Sequence, residues 1–136
     1  MRRDRNNRSA FKDRPGASRP INPETSLPVF SFEKMGRGNG FCVESCSDDD
    51  RAAVAMRLFL LSRMTWQEIH NAPRHGLGTE KIDRAAIRPA LPPEISEDVT
   101  FLAVRYKGKR PMIGYRDGRI FHLLFIDHSF SAYDHG

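Results

Sequence analysis

The sequence predicts an α+β fold, a small antiparallel sheet with one or two helices packed on one face. Residues 47–64 place their apolar side chains at helical spacing, on one side of a predicted helix. Residues 100–127 contain three short segments rich in Val, Ile, Phe, Tyr and Leu, joined by glycine-containing turns. A helical region followed by a β-meander is typical of helices gathered on one face of an antiparallel sheet.

The chain length and charge pattern predict one folded domain with a tail. At 136 residues the chain suits a single α+β domain, assigned to residues 29–136, preceded by a disordered basic tail at residues 1–28. Residues 1–20 hold seven Arg and Lys against two Asp, so they carry the whole net charge of +5. Such an arm attracts polyanions. A merely solubilising tail is the alternative.

The first part of the domain predicts a β-hairpin. VFSFEKM (29–35) and FCVES (41–45) alternate apolar and polar residues, as half-buried strands do. GRGNG (36–40) lies between them and contains residues that tolerate positive φ.

Two helices are predicted next. Ser47 or Asp48 can cap the first helix, and a second, shorter helix is predicted at 65–72. Residues 73–83 contain two glycines and are predicted to form a loop. Residues 85–99 are interrupted by prolines and are expected to wrap the surface.

Three strands are predicted to close the chain, at 100–108, 110–118 and 119–127. The run FHLLFI (121–126) is apolar on both faces, which predicts a central strand.

The composition narrows the class of protein. No apolar run approaches the roughly 18–20 residues that span a bilayer, so no membrane partner is expected. The basic N-terminus lacks the apolar segment of a secretory signal. Cys42 and Cys46 have C-x3-C spacing without a second pair, which favours reduced thiols and a cytoplasmic location.

The C-terminal residues contain potential metal ligands, namely His122, His128, His135, Asp127 and Asp134. Their spacing is poor for a metal, because His122 lies within a predicted strand and the other histidines follow its end. We therefore predict no metal site and no cofactor.

The meander is strongly basic. Several cations on the uncovered face of a small sheet would form a phosphate-binding surface, and a solvated charged face is the alternative. Alternation predicts Arg105 and Lys107 on one face and Tyr106 on the other. Residues 101–121 contain one acidic residue, Asp117. They contain six basic residues, namely Arg105, Lys107, Lys109, Arg110, Arg116 and Arg119.

The stretch AVRYKGKRPMIGYRDGRIFHLLFIDHSFSAY (103–133) resembles the RelE/ParE toxin superfamily. The likeness covers about residues 99–134. It lies in an arginine on one strand, a short glycine turn with an arginine opening the next strand, a tyrosine late in that strand, an apolar last strand and a polar–x–tyrosine end. The resemblance implies a RelE-like fold. It also implies RNA or the ribosome as a partner, a possible antitoxin protein, and mRNA cleavage without metal, in which the 2′-hydroxyl attacks its own phosphate.

The resemblance also implies roles for individual residues. Arg105 and Arg110 would hold and neutralise the phosphate. Tyr133 would stack on a base or assist proton transfer, and His128 would be a general base where the family commonly carries an arginine. The remaining meander cations would bind nucleic acid, namely Lys107, Lys109, Arg116 and Arg119.

A different class of function fits the same sequence. The cations would equally serve a non-catalytic module that binds nucleic acid or protein, including a ParE-like inhibitor of an enzyme such as gyrase. The roles of Cys42, Cys46 and His75 stay open.

Overall fold

The computed structural model describes residues 22–73 and 78–134 and confirms the α+β class. Its five strands form one sheet in the order β1-β5-β4-β3-β2, with helix α1 packed on one face. The elements, in chain order, are β1 (Val29–Ser31), α1 (Asp48–Leu61), α2 (Trp66–Asn71), β2 (Thr79–Ile82), β3 (Phe101–Lys107), β4 (Arg110–Asp117) and β5 (Ile120–Ile126).

The sheet is mixed, whereas a purely antiparallel one was expected. The meander is antiparallel as predicted, but β1 runs parallel to β5, with Val29 opposite Ile120. A parallel pair requires a crossover, and both helices and three strands lie between these two strands in the sequence. The apolar β5 is an internal strand, as its sequence predicts.

The predicted hairpin at 29–45 is wrong. Its first strand is β1, but the second half contains a 3-10 turn at Val43–Ser45 in place of a strand. The carbonyl of Phe41 accepts a hydrogen bond from the backbone N–H of Ile126 at 2.7 Å. The segment therefore pairs with the end of β5 and does not fold back on β1.

Both predicted helices are confirmed, and Ser47 is the cap of the first. The Ser47 hydroxyl accepts the N–H of Asp50 at the start of α1. Thr65 and Glu68 form a reciprocal capping box on α2, so side chains satisfy N–H groups that lack a partner within the helix.

The predicted loop at 73–83 contains strand β2, which pairs antiparallel with β3 at the edge of the sheet. The Cα of Thr79 lies opposite that of Val104, and Ile82 lies opposite Phe101. His75 lies outside the described residues.

One face of the sheet packs against the helices. Val54 and Leu61 of α1 and Trp66 of α2 contact strand residues such as Leu102 and Leu123. Burial of these apolar side chains drives the helices onto the sheet.

The other face is also covered, whereas the sequence predicts an uncovered basic face. Ile87 and Ile95, from the proline-rich segment, pack with Phe101, Ile113 and Phe125. The final described residues complete this layer. Hydrogen bonds from Arg88 N–H to the Ala132 carbonyl at 2.8 Å and from Asp134 N–H to the Ala86 carbonyl at 2.9 Å join the two segments.

Residues 22–28, predicted as part of the tail, contact the domain. The N–H of Trp66 donates to the Ser26 carbonyl, and Pro28 is buried. The rest of the predicted tail lies outside the described residues. None of the described helices is long and apolar enough to cross a membrane.

Candidate active site

A polar cavity of about 580 Å³ lies beside β2 and β3, on the face away from α1. Three parts of the chain that are distant in sequence form it: β2 with the residues after it, the β3–β4 hairpin, and the C-terminal segment. Its ionisable and hydroxyl-bearing residues are Glu80, Lys81, Asp83, Arg105, Lys109, Tyr133 and Asp134.

The strand pattern directs Arg105 towards this cavity. Arg105 alternates with Phe101 and Ala103, which belong to the core on the same face. A register shift between Arg105 and Lys107 then breaks the alternation. The predicted placement of Arg105 and Lys107 on one face is therefore wrong, because Lys107 reaches Asp50 of α1.

Lys109 reaches the same cavity from the β3–β4 turn. This turn uses Gly108 at a φ of 57°, a left-handed conformation that glycine adopts without a Cβ clash. Arg105 and Lys109 are thus two meander cations that line one concave surface.

Tyr133 lines the cavity and also belongs to the apolar core beneath it. Only 5% of the residue is exposed, and its Oη donates to Oε1 of Glu80 at 3.5 Å. Burial, followed by the negative charge of Glu80, raises the pKa of Tyr133 to about 12, while Arg105 acts in the opposite direction. The phenol therefore stays protonated at neutral pH and serves as a hydrogen-bond donor.

Glu80 is the site residue that sequence reasoning missed. The sequence predicts a loop at residues 73–83, and TEKI (79–82) is too short to show the two-residue period of a strand. As a member of β2, Glu80 places its carboxylate beside Tyr133 in the cavity. A carboxylate next to cations can accept a proton from a substrate hydroxyl.

Arg110 and Lys107 lie elsewhere. Nη1 of Arg110 is 2.8 Å from Oδ1 of Asp50, and Nζ of Lys107 is 3.8 Å from the same oxygen. Asp50 belongs to α1, so both cations serve the helix-covered face. Arg110 does not line the cavity that holds Arg105.

Arg116 is held in a cluster of polar and aromatic side chains at the protein surface. Its guanidinium lies 2.8 Å from a Glu24 carboxylate oxygen, donates to Nε2 of His70 at 3.1 Å, and stacks 4.2 Å from the Trp66 ring centre. Hydrogen bonding to Arg116 lowers the pKa of Glu24. Burial, reinforced by the charge of Arg116, lowers the pKa of His70. Arg119 is exposed, and its carbonyl accepts the Trp66 indole N–H.

His128 has a structural contact away from the cavity. Its Nε2 lies 2.8 Å from the Gly40 carbonyl oxygen and donates to it, and its ring lies against Phe41. These contacts hold the 36–42 segment against the end of β5. The structure thus brings together Arg105, Lys109 and Tyr133, and separates Arg110, His128 and Arg116 from them.

The residues considered as metal ligands are dispersed. His122 is buried against Tyr115, and the carboxylate of Asp127 accepts backbone N–H groups from Ser131 and Ala132. Within residues 22–73 and 78–134, no three His, Cys, Asp or Glu side chains lie together as a metal site would require. His135 lies outside this part of the chain.

Cys42 and Cys46 are both buried and not disulfide-bonded. Hydrogen bonding, first from the Ser45 side chain, lowers the pKa of Cys42, whereas burial raises that of Cys46.

A second concave surface is apolar. A groove of about 510 Å³ runs between α1 and the segment after β1. Phe32 and Val43 line one side, and Leu58 and Phe59 line the other. More than half of Phe59 is exposed, at 54%.

Comparison of the chain with protein-family models, curated proteins and solved structures finds no match. The RelE/ParE resemblance therefore stays a prediction.

Proposed function

We propose that this protein is a cytoplasmic, toxin-like endoribonuclease that cleaves RNA, or mRNA on the ribosome, without a metal ion. The observation that supports this proposal is the cavity in which Arg105 and Lys109 lie with Glu80 and Tyr133. In general acid–base cleavage of a phosphodiester, a carboxylate can serve as the base, a protonated phenol as the acid, and cations as the groups that stabilise the negative charge.

In the proposed reaction, the Glu80 carboxylate removes the proton from a ribose 2′-hydroxyl. The 2′-oxygen forms a bond to the adjacent phosphorus, and the bond from phosphorus to the 5′-oxygen breaks. The departing 5′-oxygen takes a proton from the Tyr133 phenol. Arg105 and Lys109 contact the non-bridging oxygens, where negative charge accumulates in the transition state. The products are a 2′,3′-cyclic phosphate and a 5′-hydroxyl.

This proposal changes two of the roles expected from the resemblance. Glu80 takes the general-base role assigned to His128, because His128 is bonded to the Gly40 carbonyl away from the cavity. Lys109 replaces Arg110 as the second phosphate contact, because Arg110 is paired with Asp50.

The test is incubation of the purified protein with single-stranded RNA in the presence and absence of a chelator. We expect chelator-resistant cleavage and fragments that end in 2′,3′-cyclic phosphate. An RNA with 2′-deoxyribose at the cleaved nucleotide is the matched control, and it should stay intact there. Intact RNA, cleavage that stops with chelator, or cleavage at the deoxy position would each contradict the proposal.

A second candidate function is a non-catalytic protein-binding module, which the apolar groove favours. Exposed neighbouring apolar side chains commonly mark protein interfaces, and the groove residues Phe32 and Phe59 are 46% and 54% exposed. The partner implied by the resemblance is an antitoxin protein. Under this alternative the wild type leaves RNA intact, and Phe59→Ser removes the binding of a partner protein that the wild type retains.

A further inference from the structure

The turn that follows β5 is fixed by a buried carboxylate. Asp127 is fully buried, and its two carboxylate oxygens accept the N–H groups of Ser131 at 2.7 Å and Ala132 at 2.9 Å. The Asp127 carbonyl accepts the N–H of Phe130 at 3.2 Å. Three hydrogen bonds accepted by Asp127 thus determine the path of the chain over residues 127–132.

Phe130 occupies a strained position in this turn. Its φ is 57°, and within the described part of the chain no other residue except glycine has a positive φ. A bulky aromatic residue rarely adopts this conformation, because its Cβ crowds the backbone. Glycine or asparagine would occupy the position at lower cost. Backbone strain of this kind is concentrated at functional sites, so the Phe130 side chain is a candidate for a functional role.

Phe130 lines the same cavity as Arg105 and Lys109. Phe130 is 39% exposed, whereas the Tyr133 ring is buried in the core. An accessible aromatic face beside cations is the arrangement with which proteins bind single-stranded nucleic acid, because a base stacks on the ring while its phosphate meets the cations.

We propose that Phe130 is the base-stacking residue of this cavity and that its ligand is an unpaired nucleotide of single-stranded RNA. The proposal rests on the proposed function for the nature of the ligand. Because every base has a π-face, stacking of this kind tolerates different bases. A base inside a duplex is already stacked on both sides, so a duplex should bind less well.

The experiment measures binding to RNA that cannot be cleaved, so that affinity is separated from chemistry. Two single-stranded oligonucleotides of about twelve nucleotides are made with 2′-O-methyl ribose, which removes the attacking hydroxyl group. They differ only at one central position, which carries a base in one and is abasic in the other. Fluorescence anisotropy gives the Kd of each with the wild type, Phe130→Asn, Phe130→Tyr and Phe32→Asn.

Phe130→Asn tolerates the left-handed turn but lacks a ring, so we expect it to weaken binding of the intact oligonucleotide about tenfold. The same variant should change binding of the abasic oligonucleotide much less. Phe130→Tyr should bind like the wild type. Phe32→Asn removes an exposed ring away from the cavity and should also bind like the wild type. Thermal unfolding establishes that each variant is folded.

Failure of this inference is distinguishable from failure of the proposed function. An equal loss on both oligonucleotides, no loss in Phe130→Asn, or no binding by the wild type would overturn the stacking role, even if the protein cleaves RNA. Base-dependent loss in Phe130→Asn would support stacking, even if natural RNA stays intact and the proposed cleavage is wrong.

Discussion

Nη1 of Arg110 lies 2.8 Å from Oδ1 of Asp50, and this contact joins the start of β4 to the first turn of α1. The Asp50 side chain is only 5% exposed, so its charge requires a partner. Lys107 approaches the same oxygen from the end of β3. Two cations that the sequence places in a phosphate-binding surface therefore contact a carboxylate at the helix–sheet interface.

Replacing the buried carboxylate should destabilise the fold. We expect Asp50→Asn to lower the free energy of unfolding by about 1–2 kcal/mol, less than for a fully buried pair because Arg110 is partly exposed. Urea unfolding followed by Trp66 fluorescence measures this change. Asp49→Asn is the control, because Asp49 lies in the same helical turn and is exposed. Equal unfolding midpoints for the two variants would contradict the structural role of Asp50.

The stability of the fold should decrease as pH falls through the titration range of His70. His70 accepts a hydrogen bond from Arg116, and its Nδ1 lies 3.1 Å from the Thr79 hydroxyl. Its folded pKa is lowered from 6.5, mainly by burial, so the unfolded chain binds the proton more tightly. The contribution of neutral His70 to the free energy of unfolding is therefore fully present above pH 6.5 and is lost on acidification below it.

Urea midpoints measured between about pH 7 and about pH 5 test this prediction. His70→Gln keeps a donor and an acceptor but does not titrate, so its midpoint should change less across the range. Glu24 does not interfere, because its pKa is lowered from 4.5 and its contribution is lost only in more acidic solution. A pH dependence that is identical in the wild type and His70→Gln would exclude His70 as the titrating group.

Two buried tyrosines should respond differently to loss of the hydroxyl group. Tyr133→Phe keeps the ring in the core but removes the proposed proton donor to the departing 5′-oxygen, so cleavage should fall about 10²-fold. Loss of the hydrogen bond to Glu80 should lower the free energy of unfolding by about 1 kcal/mol or less. Tyr106 is the control. Its buried hydroxyl has no hydrogen-bond partner among the described residues. Tyr106→Phe should therefore raise the free energy of unfolding by up to about 1 kcal/mol and should cleave RNA like the wild type. Equal cleavage by the two variants would remove Tyr133 from the mechanism.

The sequence predicts those elements whose signals are local. Helix α1 has a capping serine and sufficient length, and the meander has glycine turns between apolar segments. Strand β2 lacks such signals, because four residues cannot establish a period. The sequence does not predict that Ile87 and Ile95 cover the second face of the sheet, because an irregular, proline-rich segment has no hydrophobic periodicity.

The candidate site is less predictable than the fold. Glu80, Arg105 and Tyr133 meet because three separate segments pack around one edge of the sheet. The charge pattern of the sequence identifies the cations but not the side chains that they contact. The sequence does not indicate that Arg116 stacks on Trp66 or that Arg110 meets Asp50, since both contacts depend on the packing of the helices.

The most direct test of the central claim compares the RNA-cleavage kcat/KM of Arg105→Ala with that of Arg119→Ala. Both variants remove one arginine from the basic meander, but only Arg105 lines the cavity, while Arg119 is exposed. We predict a loss of about 10²- to 10³-fold for Arg105→Ala and near wild-type activity for Arg119→Ala, with both proteins folded. Similar activities, or a larger loss for Arg119→Ala, would show that the cavity is not the site of cleavage.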